Sequence, residues 1–136
     1  MGAPDPARDK ARFPTMTIQR FESGPRMSQA VTYGDMVYLA GQVAGTVVGA
    51  GVTAQTQEIL GEIDRLLAAA GTDKSRILTA TIYLADIATF AEMNAAWDAW
   101  VAKDNPPARA TVEAKLAAPE YRVEIVVVAA KGHATA

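Results

Sequence analysis

Near its start the chain places hydrophobic positions in short, strand-like runs, at residues 17–22, 30–33 and 36–43. Tyr33-Gly34-Asp35-Met36, between the second and third runs, reads as a tight hairpin turn. Residues 45–51 read as a flexible connection. From 53 to 70 the period changes to that of a helix. Ile59, Ile63, Leu66, Leu67 and Ala70 form one stripe, and Glu58, Glu62 and Arg65 lie outside it. Thr53 is the expected N-cap, and Gly71 stands where a left-handed C-terminal residue belongs. Residues 77–84 are an apolar, β-branched strand. Asp86 is expected to cap a second helix that carries Phe90, Met93, Trp97, Trp100 and Val101 on one face, an aromatic stripe read as core. Asn105-Pro106-Pro107 should end that helix, because a residue before proline avoids helical geometry. Strands at 108–116 and 122–129 follow.

The predicted order is β-β-β-α-β-α-β-β, an α+β fold. Two strand–helix–strand units imply parallel pairing by right-handed crossovers, while the opening strands look antiparallel. One mixed six-stranded sheet with both helices on one face results, and its other face needs a cover. A partner subunit is the expected one, since half of the residues are hydrophobic and only two helices are available. Residues 1–15, with their prolines and mixed charges, read as a flexible N-terminal extension, and 16–131 as a single domain.

Composition removes several chemistries. The 136 residues include no cysteine, so disulfides, thiol catalysis and thiolate metal sites are absent. His133 is the one histidine and sits near the end, so a Ser-His-Asp triad or a histidine metal site lacks its parts. A net charge of −2, with Arg8, Lys10 and Arg12 diluted among acids and prolines, argues against nucleic acid as a partner. No apolar run approaches the ~20 residues of a membrane span, and no signal-peptide core opens the chain. No membrane partner is expected, and the expected location is cytoplasmic.

Two charges stand out against this background. Arg109 follows two prolines at a strand entrance, on the face shared by Thr111, Glu113 and Lys115. A guanidinium fork there suits a small carboxylate. Glu124 interrupts the most hydrophobic run, where a carboxylate must be paired, hydrogen-bonded or protonated. Arg122 or Lys115 could supply a structural pair. Otherwise Glu124 is a candidate for holding a water or moving a proton. The last two strands must run antiparallel, with the two charges near opposite ends, roughly five residues or about 17 Å apart. One subunit should not bring them together. A shared site would lie between copies of a closed oligomer.

Several segments carry a family resemblance. They are Gly24-Pro25-Arg26-Met27-Ser28-Gln29-Ala30-Val31, Val37-Tyr38-Leu39-Ala40-Gly41-Gln42-Val43, Ala54-Gln55-Thr56, Thr79-Ala80-Thr81-Ile82-Tyr83-Leu84-Ala85-Asp86, Met93-Asn94, Pro107-Ala108-Arg109 and Val123-Glu124-Ile125. In this order they resemble the RidA (YjgF/YER057c/UK114) family. The resemblance implies a chorismate-mutase-like homotrimer with sites in the clefts between subunits. It also implies hydrolysis of reactive 2-imino and enamino acids to 2-keto acids and ammonia, with no metal and no cofactor. Arg109 would hold the substrate carboxylate, helped by backbone N–H groups at Gly41 and Thr111. Glu124 would position water or relay protons, and Asn94 would act near the pocket. The usual Gly-Pro-Tyr-Ser-Gln is Gly24-Pro25-Arg26-Met27-Ser28-Gln29 here, so a pocket hydroxyl is lost and Arg26 or Met27 reshapes the mouth. Competing functions attached to such a chain are endoribonuclease or translation inhibitor activity, and a non-catalytic metabolite-binding or chaperone-like trimer.

Overall fold

The computed structural model describes residues 17–132. The proposed 1–15 extension, its basic residues and His133 lie outside the described residues. Strands β1 (Gln19–Ser23), β2 (Ser28–Tyr33) and β3 (Met36–Leu39) form an antiparallel meander, with Tyr33 paired to Met36 across the Gly34-Asp35 turn. Helix α1 (Val52–Ala69), β4 (Ile77–Leu84), α2 (Phe90–Trp100), β5 (Ala108–Glu113) and β6 (Val123–Ala130) complete the chain. The six strands form one sheet in the order β1-β2-β3-β6-β4-β5. β4 and β5 pair in parallel, and β6 runs antiparallel to both of its neighbours. This is the mixed α+β sheet of the sequence reading.

Strand alternation sorts the two faces. Val123, Ile125, Val127 and Ala129 of β6 are buried with Ile82 and Leu84 of β4 beneath the helices. Helix α1 contributes Ile59, Ile63, Leu66 and Leu67, all fully buried, and α2 contributes Met93 and Trp97. Each such side chain is worth about 1.5–3 kcal/mol of burial. The opposite face carries Tyr38, Tyr83, Val112, Val126 and Val128, of which Tyr38 and Val112 are exposed. No element among the described residues covers it, and no helix there is long and apolar enough to cross a membrane.

Several boundaries differ from expectation. Helix α1 begins after Gly51, which offers no side-chain cap, so Thr53 lies within the first turn. Its C-terminus closes as expected: Thr72 N–H donates to Leu67 O and Gly71 N–H to Ala68 O, with Gly71 at φ 83°. Asp86 caps a short 3-10 turn, Ile87–Thr89, accepting from Ala88 N, and α2 starts one turn later. That helix stops at Trp100, before the prolines, because Val101 turns to ψ 144°. β3 ends at Leu39 and β5 at Glu113, short of the expected 43 and 116. The 45–51 connection is tied to α1, since the Glu58 carboxylate accepts from the Thr46 N–H and hydroxyl and from Val47 N–H.

One ion network fastens the β1 end to α1. Arg65 donates to both oxygens of Glu22, at 2.8 and 3.0 Å, and to both oxygens of Glu62, at 2.6 and 2.9 Å. Glu22 adopts φ 49°, a left-handed conformation that this bidentate contact helps to hold. The Arg65 hydrogen bonds pull both carboxyls below their ordinary range. A lowered folded pKa gives stability that is present above the unfolded carboxylate value and lost as pH falls through the folded one. Melting of wild type and Arg65→Ala should therefore differ at about pH 7, and the gap should close as pH falls through the lowered carboxyl range. A gap that persists in acid would contradict this account.

Candidate functional site

Two buried amides set the geometry around β6. Gln42 donates from Nε2 to Gln29 Oε1 and Ala40 O, both at 3.0 Å, while its backbone exchanges bonds with Ile125 at 2.9 and 3.1 Å. The segment after β3 is thereby pinned alongside β6 although the ladder has ended. Gln55, fully buried, donates to Ala50 O and Glu120 O and accepts from Arg122 N–H, each at 2.9 Å. It fixes the entry into β6 one turn of chain before Glu124. All three polar contacts of Gln55 are met, which is what a buried amide requires.

Pairing Gln42 with Ile125 turns Gly41 to the sheet face that Glu124 occupies. A Cβ built at Gly41 would lie 2.5 Å from Glu124 Oε2 and 2.9 Å from its Cδ. Only glycine leaves the carboxylate this position. Glu124 itself is half-buried on the open face. The expectation of a structural pair with Arg122 or Lys115 is not met: no ion pair or hydrogen bond engages Glu124 among the described residues.

Arg109 sits on the other face. It is level with Ala80 of β4 and, through β4, with Val127 of β6, both buried under the helices. Its guanidinium carbon lies 5.8 Å from the Phe90 ring centroid and 5.4 Å from that of Trp97. The aromatic stripe is thus only partly core: Met93 and Trp97 are buried, while Phe90 is exposed and faces Arg109. No carboxylate pairs with Arg109 among the described residues. Thr111 Oγ1 on β5 and Asn94 Oδ1 on α2 are buried without a hydrogen-bond partner. β5 is a sheet edge, and Ala114 N–H donates to Leu84 O. By alternation, the N–H groups of Arg109, Thr111 and Glu113 point away from β4 toward that free edge.

Within one protomer, then, Gly41 and Glu124 meet, and Arg109, Thr111 and Asn94 belong to a separate α2–β5 cluster. The groups stand on opposite faces. Register makes the offset smaller than expected. Glu124 is level with Tyr83 and Arg109 with Ala80, three positions rather than five. With two strand spacings added, their Cα atoms are about 14 Å apart. Met27, exposed in the β1–β2 turn, joins Gly41 in lining a cleft of about 760 Å³ bounded by Gln29, Gln42 and the Glu22–Arg65–Glu62 network. Arg26 is exposed in the same turn. Among the described residues, no three His, Cys, Asp or Glu side chains gather as a metal site would require. Gln42 and Gln55 were missed as positioning residues. A glutamine in an apolar neighbourhood was the available signal.

A family model described as Endoribonuclease L-PSP matches residues 17–131. A RutC family protein of Haemophilus influenzae is 50% identical over 114 residues, covering 84% of this chain and 98% of that protein. The RutC family protein YoaB of Escherichia coli is 44% identical over 115 residues, covering 85% and 99%. A crystal structure of a YjgF family member from Neisseria meningitidis matches with a TM-score of 0.84 at 47% identity, covering 88% of this chain and 98% of that one.

Because Glu124 ends in a flexible carboxylate, Gly41→Ala should fold with a melting temperature near that of wild type. Its crystal structure should show the Glu124 side chain swung out of its place. A carboxylate left where it was would overturn the close-approach argument.

Proposed function

The chain belongs to the endoribonuclease L-PSP family, and on that premise we propose that it hydrolyses reactive 2-imino and enamino acids to 2-keto acids and ammonia. The observation that carries this reading is a pair of opposite charges, Arg109 and Glu124, each without an ion-pair partner among the described residues and each on a different face of the sheet. Two such groups serve one small ligand if copies of the chain associate. The apolar open face, with Tyr38 and Val112 exposed, supports association, because a monomer seldom leaves such a surface to water. The assembly we propose is a homotrimer in which Arg109 of one protomer meets Glu124 of its neighbour across each seam.

The chemistry needs few parts. The Arg109 fork takes the substrate carboxylate through two parallel N–H donors. The outward N–H of Thr111 and that of Gly41 add donors, and Asn94 and Thr111 side chains offer buried acceptors for the nitrogen end. An iminium carbon is already electrophilic, so orientation and a held water supply most of the acceleration. Glu124 accepts a proton as that water adds to the carbon. The carbinolamine nitrogen then receives that proton from Glu124, the C–N bond breaks as Glu124 takes up the hydroxyl proton, and ammonia departs from the 2-keto acid so formed. Met27 and Arg26, exposed in the β1–β2 turn at the mouth, set which side chains enter.

Arg109→Lys should lose nearly as much activity on an imino acid generated in situ as Arg109→Ala, because a point charge lacks the planar fork. Glu124→Gln should keep affinity for pyruvate in calorimetry while kcat falls by about two to four orders of magnitude. RNA cleavage that survives Arg109→Ala, with no imine turnover in wild type, would transfer the assignment to a ribonuclease. Light scattering at micromolar concentration should give about three times the chain mass of 14.4 kDa. A monomeric mass would remove the shared site.

A further inference from the structure

Arg109 is held by rings rather than by an acid. An arginine beside a carboxylate would be positioned, but its fork would already be occupied and its charge partly cancelled. Here the guanidinium lies within cation–π range of two ring centroids, Phe90 at 5.8 Å and Trp97 at 5.4 Å. Ring contact engages no carboxylate, so none of the guanidinium N–H donors is spent on an ion pair among the described residues. The two rings project from α2 one helical turn beyond Asn94 on either side. Trp97 is nearly buried and Phe90 is 41% exposed, so one ring is a fixed wall and the other an outer one.

The fixed wall is itself braced. Trp97 packs against Trp100 with centroids 5.3 Å apart and planes inclined at 57°. Trp100 donates from its indole N–H to Asp64 Oδ2 on α1 at 2.9 Å, and Lys74 Nζ stands 5.3 Å over its ring while donating to Trp100 O at 2.6 Å. An edge strand such as β5 has a neighbour on one side only, which makes it a poor support for a long side chain. The rings replace the missing neighbour.

We infer that Phe90 and Trp97 are positioning residues that hold the Arg109 guanidinium through cation–π contact, so that it meets the carboxylate of the imino acid already oriented and without a protein counter-ion to displace. The bracing through Trp100 and Asp64 makes α1 part of the same support. This rests on the proposed deaminase reading for its kinetic consequence, but the ring contact is measurable without it. The rings touch no reacting atom; they act through Arg109.

Phe90→Leu tests the outer wall at an exposed position where folding is little affected, and Trp97→Phe keeps a ring where Trp97→Leu removes it. In Phe90→Leu, KM for the imino acid and Kd for pyruvate should both rise about three- to tenfold, the weight of one cation–π contact, with kcat near wild type. Trp97→Phe should recover most of what Trp97→Leu loses. Independently of any substrate, the Arg109 Nε–H proton resonance, identified by its loss in Arg109→Ala, should lie upfield from ring current and move downfield in Phe90→Leu. An unmoved resonance, or a fall in kcat with KM unchanged, overturns the inference. If wild type hydrolyses no imino acid, the proposed function fails while the resonance still decides whether the rings hold Arg109.

Discussion

The position of β4 between β5 and β6 governs the chemistry available to this chain. Because β4 pairs with Arg109 through Ala80 and with Glu124 through Tyr83, the odd spacing along one strand sends the two charges to opposite faces. A shift of one residue in the β4–β6 ladder would put both on one side. It would also turn Val123, Ile125 and Val127 out of the core, so the register is locked by hydrophobic burial far larger than any ionic term. The separation of acid and base is therefore a fixed property of the fold rather than a feature of flexible side chains.

Around that constraint, polar side chains do the local positioning. Gln42 and Gln55 each satisfy their amide groups inside the core and hold irregular backbone on both sides of β6. Their bonds let Gly41 lie against Glu124 after regular pairing has ended. On the far side of the sheet the support is apolar, with α2 presenting aromatic rings to Arg109. One charge is placed by a backbone with no side chain and the other by side chains with no charge. In both cases the functional group keeps its hydrogen-bonding capacity unspent.

The long-period features of the fold were legible in the sequence because burial writes them there. The Ile59, Ile63, Leu66, Leu67 stripe is buried, and Gly71 closes α1 as its position implied. Helix starts were less legible. Asp86 has a capping residue's chemistry but caps a 3-10 turn, and Gly51 opens α1 without any side-chain signal. Prolines marked the end of α2 too late, since a helix can unwind before the first residue that forbids it. Arg109 and Glu124 could be picked out as charges in odd places, and strand direction alone showed that they diverge. The ring contacts to Arg109 could not be read this way, because a stripe of Phe90, Met93 and Trp97 looks the same whether it faces a core or a cation.

The unfilled groups at β5 then have a common explanation. Thr111 Oγ1 and Asn94 Oδ1 are buried without partners, and each such group costs about 1–3 kcal/mol when nothing meets it. The outward N–H groups of β5 are donors open to a further partner. A fold gains nothing by concentrating these debts at one edge, beside an arginine whose fork is also empty, unless something outside the protomer settles them together. A small molecule bearing a carboxylate and a nitrogen, held at a seam that a second copy closes, meets the cation, the acceptors and the edge donors at once. A protein segment docking on β5 would satisfy the edge N–H groups but leave the guanidinium without an acid unless that segment brought one. Glu124, unpaired among the described residues and lying against Gly41, is the acid that the proposed association would bring to this edge.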